Sequence, residues 1–113
     1  RDPWVGDPCE DHSECDFLSG DVPGFCFTYQ ATDTGHLHGF CSLPCDGYCP
    51  DQDGTAPTFC ATSPTPSEGI CVSKAYPLNE SCASIPGTEA REEDRFILES
   101  GANPSTALVC MPK

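Results

Sequence analysis

Apolar positions along this chain come in short bursts, such as Phe96-Ile97-Leu98, broken by Gly, Pro, Asp and Ser. One short pattern recurs: a glycine, then an aromatic or branched apolar residue, then a cysteine. It stands at Gly24-Phe25-Cys26, Gly39-Phe40-Cys41, Gly47-Tyr48-Cys49 and Gly69-Ile70-Cys71, with partial echoes at Thr58-Phe59-Cys60 and Leu108-Val109-Cys110. In a strand, successive side chains face opposite sides, so the apolar residue can enter a small core while the cysteine bridges outward. The glycine is expected to make the turn or bulge that opens each strand. Because the spacings are irregular, the pattern reads as a set of separate hairpins and not as a long repeat.

The first hairpin is expected over Phe25–Gln30 and His36–Cys41, joined by Ala31-Thr32-Asp33-Thr34-Gly35, which has the Asp/Gly chemistry of a turn. A second unit holds Cys45, Cys49, Cys60 and Cys71, with loops at Asp51-Gln52-Asp53-Gly54 and Ser63-Pro64-Thr65-Pro66-Ser67, the latter extended and exposed. From Lys74 the composition changes. Thr88 is placed to cap a short helix through Glu89–Arg95, with acids in its first turns where the helix dipole favours them. A hairpin Arg95–Ser100, Gly101–Ser105, Thr106–Met111 follows and brings Cys110 toward Cys82, which predicts a Cys82–Cys110 bridge. The expected fold is therefore small and disulfide-rich, mainly β hairpins and loops with at most one short helix. It divides into an acidic cysteine-rich region, 1–73, and a C-terminal subdomain, 74–113, or forms one continuous domain.

Composition explains why cysteines must carry the fold. The chain has 113 residues, 37% of them hydrophobic, with 10 Gly and 12 Pro. That apolar content buries too little surface to offset the entropy of ordering the chain. Ten cysteines change the balance, since each bridge removes freedom from the unfolded state and stabilises by roughly 2–4 kcal/mol. All ten (Cys9, Cys15, Cys26, Cys41, Cys45, Cys49, Cys60, Cys71, Cys82 and Cys110) are expected in bridges. The full connectivity is one of about 945 pairings. An even count implies an oxidising compartment, hence a secreted, extracellular protein. The start Arg1-Asp2-Pro3-Trp4 reads as a mature product whose signal peptide has been removed. No apolar run approaches the roughly 20 residues of a membrane-spanning helix, so no membrane insertion is expected.

The net charge of −13 is unevenly spread. From Asp2 to Ser73 there is no Lys or Arg, while the basic residues are Arg1, Lys74, Arg91, Arg95 and Lys113. Such a surface repels phosphate backbones and anionic headgroups, which argues against nucleic acid. It suits a cationic partner, divalent cations or high-salt surroundings.

Candidate chemistry is sparse. No C-x-x-C occurs, and Cys41, Cys45 and Cys49 read as oxidised thiols in preference to a zinc site. His36 and His38 share one strand face at a spacing that can chelate a transition metal, or they are edge residues packing on Phe27 or Tyr29. Asp51-Gln52-Asp53-Gly54 matches the middle of a calcium loop, but Cys49 and Cys60 stand where further ligands belong. A looser calcium site from Asp51, Asp53 and Asp46 is the alternative to plain turn residues. No cofactor is otherwise implied. There is no G-x-S-x-G and no free thiol by parity, so no catalytic residue is assigned and the protein is not expected to be an enzyme. Trp4, the only Trp, either stacks on a sugar or partner, or closes the small core. Asn79-Glu80-Ser81 is an N-glycosylation acceptor pattern, whereas Asn103-Pro104-Ser105 is disqualified by its proline.

The stretch Gly39-Phe40-Cys41-Ser42-Leu43-Pro44-Cys45-Asp46-Gly47-Tyr48-Cys49-Pro50-Asp51 continues into Ala56-Pro57-Thr58-Phe59-Cys60, Gly69-Ile70-Cys71-Val72, Asn79, Cys82 and Ile85-Pro86-Gly87-Thr88. Over about residues 39–110 this resembles cysteine-rich modules of secreted proteins in myxobacteria and their relatives, some of them appended to N-acetylmuramoyl-L-alanine amidases. The resemblance implies an accessory or targeting role outside the cytoplasm and carries no catalytic residue. The leading expectation is a non-catalytic secreted binding or targeting module for a glycan or a cationic protein surface, contacted through Trp4 and the loops near Asp33 and Asp51. The alternatives are a self-assembling structural subunit of an extracellular matrix or filament, a secreted inhibitor presenting Pro64-Thr65-Pro66, and a small peptidoglycan-acting hydrolase fragment.

Overall fold

The computed structural model describes residues 3–30, 35–63, 68–99 and 101–113. The expected loop contact at Asp33, the turn through 31–34 and the inhibitor loop at 64–66 lie outside the described residues. Strands β1 (Leu18–Ser19) and β2 (Val22–Pro23) form a minimal hairpin. Strands β3 (Phe25–Gln30) and β4 (Leu37–Ser42) pair antiparallel from Phe25 opposite Ser42 to Gln30 opposite Leu37, close to the hairpin the alternation predicts. Strands β5 (Pro44–Cys45), β6 (Thr58–Thr62) and β7 (Gly69–Ser73) make an antiparallel sheet with β7 in the centre. Strands β8 (Thr88–Asp94) and β9 (Thr106–Pro112) form a long C-terminal hairpin. Two 3₁₀ turns, His12–Cys15 and Pro77–Cys82, complete the described structure. The small disulfide-rich hairpin fold is the one expected.

The helix expected over Glu89–Arg95 does not form. Its Ala, Arg and Glu residues favour helix locally, but barely two turns are marginal alone. The segment instead pairs residue by residue with β9, from Thr88 opposite Pro112 to Asp94 opposite Thr106. The C-terminal hairpin therefore exists with an earlier first strand than the sequence suggested.

The five disulfides are Cys9–Cys26, Cys15–Cys41, Cys45–Cys60, Cys49–Cys71 and the expected Cys82–Cys110. No cysteine is free. Numbering the cysteines of each group of four in order, both groups pair first with third and second with fourth.

That shared connectivity belongs to a repeat which the irregular spacing had hidden. In residues 8–42 (module 1), Cys26 lies opposite Cys41, Phe27 opposite Phe40 and Thr28 opposite Gly39. In residues 44–73 (module 2), Cys60 lies opposite Cys71, Ala61 opposite Ile70 and Thr62 opposite Gly69. A proline before each first cysteine adds a third strand at the same register: Pro8 pairs with Phe40, and Pro44 with Ile70. The N–H of each fourth cysteine donates to the carbonyl two positions before the first, Cys41 to Asp7 and Cys71 to Leu43, both at 2.8 Å. Residues 74–112 (module 3) follow suit, for Lys74 pairs with Val109 and Ala90 lies opposite Cys110. Module 3 keeps the second-to-fourth bridge as Cys82–Cys110. Its first and third positions are Ala75 and Ala90. The joints also match, since Cys41 leads to Cys45, and Cys71 to Ala75, over the same number of residues.

The register also corrects the role given to the motif glycines. Gly24 precedes β3 and Gly69 opens β7 as expected, but Gly39 lies inside β4, and both Gly39 and Gly69 are held by close approach. A Cβ on Gly39 would sit 2.7 Å from Cys26 Sγ and 2.8 Å from the Cys9 carbonyl oxygen. One on Gly69 would sit 2.7 Å from the Cys45 carbonyl oxygen. The first cysteine of each module crosses its own central strand at this point and leaves no room for a side chain. Gly47-Tyr48-Cys49 is not a strand, and Tyr48 makes only a single bridge with Asp46 and is exposed.

The apolar faces of the three hairpins meet in one cluster. Tyr29 and Phe40 of module 1 join Phe59, Ile70 and Val72 of module 2 and Val109 and Met111 of module 3. The Tyr29 hydroxyl donates to the Pro86 carbonyl at 2.6 Å, tying module 1 to module 3. Burial raises the Tyr29 phenol to a pKa of about 12.

Candidate functional site

The crossing point has a different outer surface in each module. In module 1 it is the floor of an open groove enclosing about 530 Å³. Gly39 and Thr28 lie side by side in the ladder, and Leu37, two positions from Gly39, faces the same way. Pro8, Cys9, Glu10 and Glu14 form one wall, and His38 and Pro86 contribute to the lining. The acidic wall is fixed by its own hydrogen bonds. The Glu14 carboxylate accepts the N–H groups of Glu10 at 2.7 Å and Asp11 at 3.3 Å. Asp11 caps the 3₁₀ turn, accepting the Ser13 hydroxyl and, at 2.9 Å, the Ser13 N–H. These bonds, the hydroxyl first, hold the Asp11 carboxyl below its ordinary range. His12 Nδ1 accepts the Cys26 N–H at 3.0 Å and so anchors the turn to β3.

In module 2 the same position is covered by a segment of the chain itself, residues 95–99. Arg95 pairs with Ala61 on the outer edge of β6, and the Phe96 N–H donates to the Cys60 carbonyl at 2.9 Å. The Phe96 ring lies where a Cβ of Gly69 would point, 2.5 Å from that position. Arg95 turns to the other face, where its guanidinium stacks 4.8 Å from the Tyr48 ring centroid and 5.0 Å from that of Phe59. Its Nη1 donates to the Gly47 carbonyl at 2.5 Å. The chain end of the segment is received by Asp46, whose carboxylate accepts the Leu98 N–H at 2.8 Å and the Glu99 N–H at 2.9 Å. In module 3 the crossing carries Leu108, with Ala75 N–H donating to its carbonyl at 2.9 Å.

The sequence-predicted site residues are dispersed. Trp4 is buried, its ring 5.0 Å from Phe17 in a cluster with Val5, Leu43 and Cys71. It closes a core and offers no stacking face, and its indole N–H lacks a hydrogen-bond partner. Asp46 holds the 98–99 backbone as described. Asp51 accepts both the N–H and the hydroxyl of Thr58 at 2.8 Å, and Asp53 is an exposed turn residue. The three aspartates do not come together: among the described residues, the groups of three ligating side chains within metal-binding reach consist of disulfide cysteines alone. His36 and His38 have ring centroids 6.4 Å apart, and His38 lies 6.2 Å from Tyr29, as the packing alternative had it. Asn79 is buried, its amide donating to Ser73 Oγ and the Lys74 carbonyl and accepting from the N–H groups of Tyr76 and Cys82. A glycan on its nitrogen is incompatible with this arrangement.

Glu10 and Thr28 were not singled out from the sequence, Gly39 was noted only as a motif glycine, and the seating of Arg95 and Phe96 was not foreseen. The available signal was the repeated Pro-Cys pair, with Thr28 and Thr62 two residues beyond the third cysteine. Among the described residues, no helix is long and apolar enough to cross a membrane. No protein-family model, curated protein or solved structure matches the chain.

Proposed function

We propose that this protein is a secreted, non-catalytic binding module whose partner presents a cationic surface. The observation that carries this reading is the distribution of charge over the fold. Glu10, Asp11, Glu14, Asp16 and Asp21 are all exposed on module 1, in a stretch without a single Lys or Arg. The cations of module 3 are engaged internally: Lys74 lies over Phe59, Arg95 between Tyr48 and Phe59, and Arg91 beside Glu93 at 3.9 Å. Such a field accelerates encounter with a positive partner and rejects a negative one. Burial of Trp4 removes the aromatic that best supported a glycan partner. The five disulfides fit an oxidising, extracellular setting. The resemblance to cysteine-rich accessory modules supports the same targeting role.

The test immobilises the oxidised chain and passes polylysine over it in increasing salt. Saturable binding that weakens steeply with salt is expected, and it should fall further in Glu10→Lys/Glu14→Lys than in Glu89→Lys/Glu92→Lys on the C-terminal hairpin. No binding at low salt, or equal losses in both variants, overturns the assignment to module 1. The constant joint between modules favours a second reading, a structural extracellular subunit that extends by stacking further modules. Concentration-dependent light scattering by the pure chain tests it.

A further inference from the structure

The groove of module 1 and the seat of residues 95–99 in module 2 are the same place in two copies of one module. The floor of the seat and its acid have counterparts in module 1. Gly39 matches Gly69, Thr28 matches Thr62, Cys26 matches Cys60, and Glu10 follows Cys9 as Asp46 follows Cys45. Phe25 precedes the third cysteine as Phe59 does. In module 2 this seat takes a short segment, bridged to β6 at Arg95, that carries a cation on one face and an aromatic ring on the other. In module 1 the described residues leave it open.

The backbone of β3 is set to receive such a segment. Cys41 directs its N–H to Asp7 and its carbonyl to Gly6, away from β3. The facing residue Cys26 therefore turns its own N–H and carbonyl outward, and so does Thr28 two residues on. The Cys26 N–H already meets His12, but the segment in module 2 uses only the carbonyl of the equivalent Cys60, so His12 does not obstruct it. The contacts of Gly47 and Tyr48 with residues 95 and 96 have no direct counterpart, since module 1 has Asp11 and His12 there and both the N–H and the carbonyl of Asp11 are bonded to Glu14.

We infer that the module 1 groove binds an extended segment of a partner protein in which an Arg or Lys is followed directly by an aromatic residue. The strand adds to the outer edge of β3, the ring lies over Gly39 and Thr28, and the cation stacks on Phe25. Glu10 accepts the N–H groups that follow, as Asp46 does for 98 and 99. Alternate side chains give specificity and main-chain bonds give affinity, as in other strand additions. The acidic wall at Glu10 and Glu14 complements the cation. This rests on the cationic-partner reading above and names the chemistry it recognises.

The experiment titrates a capped peptide, Ser-Arg-Phe-Ile-Leu-Ser, into the oxidised, isotopically labelled full chain and follows its amide resonances. Saturable shifts centred on Thr28, Gly39 and Glu10 are expected. Glu10→Lys should weaken binding at least ten-fold, and Thr28→Trp, which fills the floor from an exposed position, should abolish it. Shifts centred on Asp46, Gly69 and Phe96 would mean that the peptide displaces the chain's own segment, and would overturn the proposal. So would absence of saturation at millimolar peptide. A scrambled peptide separating Arg from Phe that binds equally well would sink the groove while leaving the cationic-partner reading intact. If polylysine also fails to bind, both fall.

Discussion

Module 3 lacks one bridge that its two siblings have, and the register says where that bridge belongs. Ala75 follows the residue paired with Val109, as Cys9 follows Pro8 and Cys45 follows Pro44; Ala90 faces Cys110, as Cys26 faces Cys41 and Cys60 faces Cys71. Two cysteines placed there should form a sixth disulfide, but only with a third change. At the crossing point modules 1 and 2 have glycine, and a Cβ there would come within 2.8 Å of the first cysteine's carbonyl oxygen. Module 3 has Leu108. The expected outcome is that Ala75→Cys/Ala90→Cys closes poorly, while adding Leu108→Gly lets the bridge form. A loop of this length is worth about 3 kcal/mol in the chain-entropy account, and glycine within a strand costs about 1 kcal/mol. A net gain of about 2 kcal/mol should raise the melting temperature of a domain this size by about 8 °C. Mass spectrometry of the oxidised protein counts free thiols, and peptide mapping locates the bridge. If the triple variant keeps its two added thiols free while the five native bridges are intact, the modular equivalence is wrong.

Other expectations follow from the same coordinates. Glu80 and Ser81 hold φ values of 52° and 55°, in the left-handed region; Glu80→Gly should stabilise by about 1 kcal/mol, read as a rise in denaturation midpoint. Gly39→Ala should cost on the order of 1–3 kcal/mol, because its Cβ meets a disulfide sulfur and a carbonyl together. Asn79→Ala should cost on the order of 3 kcal/mol, since it strands the buried N–H of Cys82 and removes the bond that Ser73 Oγ accepts. With the Tyr29 phenol at about 12 in the folded state against 10.0 for a free phenol, the unfolded chain ionises first as pH rises. Stability from this group is full below pH 10 and is lost between 10 and 12; ultraviolet titration should show one late-ionising tyrosine, and Tyr29→Phe should flatten the alkaline decline.

What could be read from the chain was what local pattern controls. The β3–β4 hairpin followed from alternating apolar positions, and the Cys82–Cys110 bridge from a hairpin whose second strand was rightly placed and whose first lies earlier in the chain. Residues 88–94 misled because Glu, Arg and Ala favour helix over short range, whereas their partners on β9 are set by a distant ladder. The repeat was obscured because its loops differ in length while its strands agree in register, and sequence spacing counts loops and strands alike. Trp4 could not be placed from its neighbours, since its burial depends on Phe17, Leu43 and Cys71, which only the fold assembles. The seating of Phe96 on Gly69 is of the same kind.

The crossing also explains why a site arises here at all. The bridge from the first to the third cysteine spans the central strand that lies between them, and that strand carries glycine beneath it. With no side chain standing up at that point the face stays low, and it is flanked by an acid immediately after the first cysteine. Module 2 covers this face with Phe96, and module 3, having no such bridge to accommodate, carries the exposed Leu108 there. Module 1 has the bridge and the glycine, and among the described residues no aromatic side chain covers the face. Its exposed apolar floor, Leu37 beside Gly39, is therefore better explained by a strand arriving from outside than by the needs of the fold, whose covalent connections are already complete without it.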